Sequence, residues 1–316
     1  MGVSRTTGRR AVAVGGGTGL PKVLACLLDL GFETTAIVTM ADDGGSSGAL
    51  RRELGILPPG DARNCIVAMA DPASPLAQLF QYRFAPGGTL GGHSLGNLMI
   101  AALATLEGGF PEALEAAADM LGSRGRVLPS TLADVTLTAQ DVEGVRVVGQ
   151  AAVATSPTPI SRVDYMCACH PEAYPPALDA LRSADVVVIG PGSLYTSILP
   201  NFLVDGMAEA LAAVPGTVVY VCNVVNQRGE TGGMDAADHL EALRQHGLAG
   251  AIDVVLVHDT DAHPITDAAE AVEAGVAVIE RMRALGVRVV TADLADPADQ
   301  RHHDAALLAD ALREVV

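Results

Sequence analysis

The chain has 316 residues, 49% of them hydrophobic and 34 of them glycine, with 37 acidic against 20 basic side chains and a formal charge of −17. That length can bury a sizeable core, as one large α/β domain or two joined lobes, and the charge argues against nucleic acid or anionic lipid as a partner, since either calls for a basic patch. No apolar run reaches the roughly 18 residues of a membrane span and MGVSRTTGRR lacks the hydrophobic segment of a secretory signal, so a cytoplasmic protein without membrane insertion is expected.

A single domain is expected over 10–316, with 1–9 as a flexible N-terminus. Ala11 to Val14 reads as a short buried strand, Gly15 to Gly19 as a bare turn, and Pro21 to Leu30 as a helix with Val23, Leu24, Leu27 and Leu28 on its apolar side. Glycines let backbone amides point inward without Cβ obstruction, and the first helical turn adds unpaired donors at the positive end of its dipole. The natural guest is a phosphate, which makes Gly15, Gly16, Gly17, Thr18 and Gly19 candidate binding residues, with Lys22 as a nearby cation. No Gly-Lys-Ser/Thr follows, and counting from Gly15 puts Leu20 where a dinucleotide fold has its third glycine. The loop is neither a standard P-loop nor an NAD loop.

Thr34 to Met40 has the β-branched run of a second strand and ends on Ala41-Asp42-Asp43-Gly44-Gly45-Ser46-Ser47-Gly48, ahead of a helical segment from Ala49. In an open α/β sheet, acids at a strand's carboxyl end meet a ribose or hold a metal, so Asp42 and Asp43 are candidates for the cleft. Leu57 to Asn64 is a turn into an apolar helix over Cys65 to Met69, with Asp61 as its cap and Arg63 within reach of a phosphate. Leu79 to Phe84 reads as core. Gly91 to Asn97 is a second glycine-rich lead into a helix, Leu98 to Leu106, and places His93 and Asn97 four residues apart, where both can face one ligand. Phe110 to Leu121 is a further helix, Arg124 to Thr131 a basic turn with Arg124 and Arg126 as local cations, and Val135 to Thr138 with Val145 to Val148 a β-hairpin.

Ser156 to Ile160 (SPTPI) is the clearest candidate linker. Beyond it, Asp185 to Gly190 is a buried strand that leads into Pro191-Gly192-Ser193-Leu194-Tyr195-Thr196-Ser197, a third strand-to-glycine junction, with Gly190, Gly192 and Ser193 as candidate contacts. Thr217 to Asn223 is another buried strand, and Asn223, Asn226, Gln227, Gly229, Glu230 and Thr231 at its end make a polar cluster able to read a base or sugar edge. Ile252 to Val257 and Val287 to Ala292 complete strands alternating with helices, which suits a largely buried parallel sheet. Five cysteines, widely spaced and odd in number, suit buried thiols rather than disulfides. Cys167-Ala168-Cys169-His170 offers two thiolates and an imidazole, but no second ligand cluster accompanies it, and no metal is assigned there.

The wording GGGTGLPKVL, TMADDGGSSGALRRELGILPPGDARNC, GGHSLGNL, RGRVLPST, IGPGSLYTSILPN and YVCN resembles the gluconeogenesis-factor family, known as YvcK, and more distantly 2-phospho-L-lactate transferase, CofD. The resemblance runs from about residue 10 to the C-terminus. It implies a Rossmann-like, doubly wound and largely parallel sheet, and a cytoplasmic protein that binds a UDP-linked sugar such as UDP-N-acetylglucosamine and acts in cell shape and wall synthesis on gluconeogenic carbon. It places the diphosphate on Gly15 to Gly19, lines the cleft with Asp42 and Asp43, and makes Asn223 and Gly190 to Thr196 the opposite wall. The family's C-terminal Arg-His-Asp is matched by Arg301-His302-His303-Asp304 with one extra histidine, which makes Arg301 a candidate sugar-nucleotide contact. A tyrosine expected ahead of it has no counterpart, Tyr220 being the last in the chain.

Two functions follow. The first is a nucleotide-sugar sensor with no required cofactor, expected to be a homodimer and to be read by a protein partner in wall synthesis. The alternative is an Mg²⁺-dependent phospho-group transferase in which Asp42 or Asp43 activates an acceptor hydroxyl or holds the ion. An NAD-dependent dehydrogenase is disfavoured by the glycine spacing.

Overall fold

The computed structural model describes residues 8–166, 171–261, 263–266 and 271–316. The Cys167, Cys169 and His170 cluster and most of the N-terminal segment 1–9 lie outside these residues. Ten strands are described, in chain order β1 (Arg10–Gly15), β2 (Glu33–Val38), β3 (Arg126–Pro129), β4 (Leu137–Asp141), β5 (Arg146–Val148), β6 (Ile160–Tyr165), β7 (Val186–Ile189), β8 (Thr217–Val221), β9 (Val254–His258) and β10 (Arg288–Ala292). Seven of them form one sheet in the order β10-β9-β8-β7-β1-β2-β3, every neighbouring pair parallel.

Parallel strands need crossovers, and here the crossovers cover both faces. In β1, Ala11 and Ala13 face a core shared with helices Leu20–Asp29, Gly60–Ala68, Phe110–Leu121 and Ala305–Arg313, while Val12 and Val14 face a second core. That second core is shared with helices Pro175–Arg182, Met207–Ala212 and Ala236–Leu243. Burial on both sides is why β7 reads as the unbroken run Val-Val-Val-Ile, fully buried along its length. The doubly wound, largely parallel α/β expectation is borne out. β1 has β2 on one side and β7 on the other, and the chain changes face between them, so the open crevice of the sheet lies at the carboxyl ends of β1 and β7.

Three expectations are corrected. The hairpin of β4 and β5 gains a third antiparallel strand, β6, so Ser156 to Ile160 leads straight into a sheet and does not separate lobes. Helices begin earlier than their apolar periodicity suggests, at Gly45, Gly60 and Leu95 in place of Ala49, Cys65 and Leu98. In the last case the Ser94 hydroxyl accepts the Asn97 amide and so fixes the start. Polar residues that read as loop are therefore first-turn residues at the sheet's carboxyl edge. Among the described residues no helix is long and apolar enough to cross a membrane.

Candidate ligand-binding cleft

Gly15 to Gly19 turns from β1 into helix Leu20–Asp29, whose N-terminus carries no side-chain cap. Gly15 and Gly16 are buried, Gly17 and Gly19 are partly open, and Thr18 is exposed. The loop is wedged: a Cβ on Gly16 would lie 2.5 Å from an Asp61 carboxylate oxygen, and one on Gly19 2.3 Å from the carbonyl oxygen of Pro191. Gly17 has a φ of +66°, which favours glycine. Its amide donates to Asp61, whereas the amides of Thr18 and Gly19 bond to nothing else among the described residues. Free amides at an uncapped helix start are donors waiting for an anion.

Asp61 is the residue that sequence reasoning undervalued. It sits in the first turn of helix Gly60–Ala68, also uncapped, and reaches across to the glycine loop rather than capping its own helix. Burial and then the neighbouring Asp42 push its carboxyl up to about 6. Asp42 accepts the Gly44 amide at 3.0 Å, and its other oxygen lies 3.4 Å from where a Cβ on Gly60 would be. Asp42 and Asp61 thus face one cradle. Asp43 points elsewhere, its oxygens accepting the Gln150 and Ala151 amides at 3.0 and 2.9 Å, at the start of helix Gln150–Ala154.

Beside that cradle lies a buried polar network. The Arg63 guanidinium donates to the Ser94 hydroxyl, to Asn97 Oδ1 at 3.0 Å and to Asn64 Oδ1 at 2.6 Å, and burial lowers its pKa to about 10. Asn97 Nδ2 donates to Ser46 Oγ at 3.1 Å, and Ser46 Oγ lies 3.1 Å from His93 Nδ1. The structure so brings Arg63, His93 and Asn97 together, but through Ser46 and Ser94 and with one another. Their polar atoms mostly serve to hold the helix starts in place.

The opposite wall is made by the β7 and β8 crossovers. Asn223 clasps Gly192 twice, Nδ2 donating to its carbonyl at 2.8 Å and Oδ1 accepting its amide at 3.2 Å. Gly190 has a φ of +73° and is joined to Pro191 by a cis peptide bond, and the loop lies against the β1 loop where Gly19 meets the Pro191 carbonyl. Glu230, buried behind Ser193, accepts the Thr196 hydroxyl and the Tyr195 amide. The C-terminal segment closes this side. Lys22 Nζ donates to the His303 carbonyl at 2.6 Å, and His303 Nε2 lies 3.0 Å from the Cys222 carbonyl oxygen as its donor. Burial lowers His303 to about 4, so it is neutral near pH 7.

Two chambers that share a wall result. One of about 100 Å³ lies between Thr18, Gly19, Lys22, Gly192 and Asn223, and one of about 530 Å³ between Ser193, Asn226, Gln227 and Glu230, with Arg301 and His302 lining both. A larger cavity of about 680 Å³ sits at the amino edge of the sheet, where Arg124 and Arg126 project beside Arg10 and Thr34. Those two cations are therefore remote from the glycine loop, because β3 begins at the edge opposite the one where the cleft opens.

The profile of the family described as 2-phospho-L-lactate transferase CofD matches residues 11–295. The chain belongs to that family. It is similar to the gluconeogenesis factor of Halalkalibacterium halodurans, 41% identical over 97% of this chain and 96% of that protein, and to that of Bacillus subtilis, 42% identical over 95% and 97%. A putative gluconeogenesis factor of Nostoc is 46% identical over 79% of this chain, a match that spans about half of the relative, 55% of its length. The crystal structure of a UPF0052-family protein from Bacillus halodurans superposes with a TM-score of 0.89 at 39% identity, over 98% of this chain and 99% of that one.

Proposed function

We propose that the cleft binds a nucleotide sugar of the UDP-N-acetylglucosamine kind, and that a partner in wall synthesis responds to its occupancy during growth on gluconeogenic carbon. The observation that carries this reading is the pairing of free amides at an uncapped ten-residue helix with a chamber of about 530 Å³ just beyond Arg301. The diphosphate lies against Thr18 and Gly19, where amides and helix dipole favour negative charge. Nucleoside and sugar occupy the larger chamber, whose size is that of a small-molecule site and whose lining of Ser193 and Gln227 suits hydroxyls and amides, whereas the Asn226 amide is held inside the protein by the Met234 carbonyl and His239 Nε2. The names of the relatives as gluconeogenesis factors support the cellular setting. No side chain is asked to do chemistry. Calorimetry with UDP-N-acetylglucosamine tests it: saturable binding is expected, weakened at least tenfold by Gly17→Val, and equal affinity in that variant counts against the reading.

A second reading, the Mg²⁺-dependent transferase, is favoured by the Asp42 and Asp61 pair in one cradle. Mg²⁺ takes one or two carboxylates together with substrate phosphates, so the pair fits it; among the described residues no cluster of three such ligands forms. When bound, the ion would neutralise charge on a transferring phosphoryl group. Asp42 and Asp61 would hold it, and one of them would take the proton of an acceptor hydroxyl. Asp43, engaged by two amides, is displaced from this role by Asp61. Product formed from a nucleotide-linked phospholactate and a deazaflavin acceptor would establish this reading, and no product with Mg²⁺ and both substrates present would remove it.

A further inference from the structure

We propose that Glu230 is a resident anion that decides which end of the cleft accepts phosphate. Its consequence for the ligand rests on the nucleotide-sugar reading, whereas its test does not. The β7 crossover repeats the plan of the β1 crossover, with a parallel strand, a glycine turn and a first helical turn, and so creates a second set of anion donors at the same edge. That set is already filled. The Thr196 hydroxyl donates to one Glu230 oxygen at 2.8 Å and the Tyr195 amide to the other at 3.3 Å, and the Thr196 amide and the Ser193 hydroxyl lie close enough to favour its charge.

The carboxylate comes from the following crossover, 34 residues along from Thr196, and is 1% exposed. A buried charge is tolerated only where it is well bonded, and one donor on each oxygen, with two more polar hydrogens close by, meets that need. A phosphate approaching Ser193 would find those donors occupied and a like charge directly behind them. A ribose or hexose hydroxyl meets no such repulsion and can share the Ser193 hydroxyl at the chamber wall. Thr18 and Gly19, whose amides have no carboxylate of their own, remain as the phosphate end. Glu230 thereby gives a cleft with two glycine crossovers a single polarity.

The probe is inorganic phosphate, followed on the full-length chain by amide chemical shifts and by calorimetry. In the unaltered protein phosphate should move the Thr18 and Gly19 amides and leave Tyr195 and Thr196 in place. In Glu230→Ala, which takes both the charge and the side chain off those donors, phosphate should also move Tyr195 and Thr196 and bind at least tenfold more tightly overall. Unchanged affinity with still Tyr195 and Thr196 amides in that variant overturns the proposal, as does movement of those amides in the unaltered protein. Should Glu230→Ala fail to fold, crystals of the unaltered protein soaked in tungstate decide: density at Gly15–Gly19 alone supports the proposal, and density against Tyr195 and Thr196, or at neither crossover, overturns it. Failure of the unaltered protein to bind UDP-N-acetylglucosamine would sink the proposed function and leave the phosphate comparison standing.

Discussion

At the carboxyl edge of the sheet, Gly15–Gly19 and Gly190–Ser193 press against each other, with the backbone of Gly19 on the carbonyl of Pro191. Both follow a central parallel strand and both precede a helix. They differ in what meets the donors. After β1, the Gly17 amide is given to Asp61 and those of Thr18 and Gly19 stay open; after β7, a buried glutamate takes the amides and hydroxyls together, and Asn223 clasps Gly192 from below. The same local geometry thus makes a ligand site in one place and a rigid wall in the other. Local pattern supplies the donors, and tertiary partners decide whether they remain available.

The largest expected effect breaks the contact between the two loops. Gly19→Ala drives a Cβ to 2.3 Å from a backbone oxygen that cannot swing aside, and overpacking of that kind costs about 3 kcal/mol. The equivalent change across the contact, Gly192→Ala, meets Gly16's carbonyl oxygen at 3.3 Å and should cost about 1 kcal/mol by the same reasoning. Urea unfolding of the two variants measures the difference. Equal costs would mean that the loops do not touch as described.

Next in size is a pH effect confined to the closed crossover. Burial raises Glu230 to about 6 from an ordinary value of 4.5, against the pull of its hydrogen bonds. Tyr195, the phenol facing it, is itself pushed up to about 12 and does not titrate in this range. A carboxyl with a raised folded pKa adds stability that is present in full below about 4.5 and is lost as pH rises through about 6. Glu230→Gln removes that dependence. Its stability relative to the unaltered protein should therefore improve by about 2 kcal/mol between pH 4 and pH 8. A flat difference across that range would show that Glu230 is not held as described.

Lys22→Met sharpens the open side. Removal of the 2.6 Å bond to the His303 carbonyl frees the segment that carries Arg301, and UDP-N-acetylglucosamine affinity should fall about tenfold, or about 1.4 kcal/mol. His303 keeps its own bond to Cys222, so the fold should lose only about 1 kcal/mol, the worth of one hydrogen bond. Calorimetry and thermal melting separate the two losses.

The open crossover was legible in the sequence and the closed one was not. A bare glycine turn between a buried run and an amphipathic helix has one local interpretation, and β7 to β9 announce themselves as β-branched runs because both faces are covered. Glu230 reads only as one acid within a polar cluster; that it is buried under Ser193 depends on where β8 lies beside β7. Lys22 and Asn223 read as ligand contacts for the same reason: a free cation and a free amide look alike in sequence whether a ligand or a distant carbonyl receives them. β6 escaped notice because Ser-Pro-Thr-Pro signals a break, and the ISRVDY that follows lacks the two-residue alternation of a strand, burying only Ile160 and Val163.

The smallest expected effect separates two adjacent acids that the sequence treats as a pair. Asp42 turns into the cradle with Asp61, and Asp43 turns out to Gln150 and Ala151, so the strand end works as a fork. Asp43→Asn halves the set of strong acceptors offered to the two amides and should lower stability by about 1 kcal/mol, the size of a helix-start interaction, with nucleotide-sugar affinity unchanged. Asp42→Asn should do the reverse, altering affinity and leaving the melting temperature within about 2 °C, because its Asx turn to Gly44 survives as an amide oxygen. If Asp43→Asn were the variant that lost binding, the β4 to β6 layer on which Gln150 and Ala151 sit would have to move on ligand binding, and the fork would be a hinge.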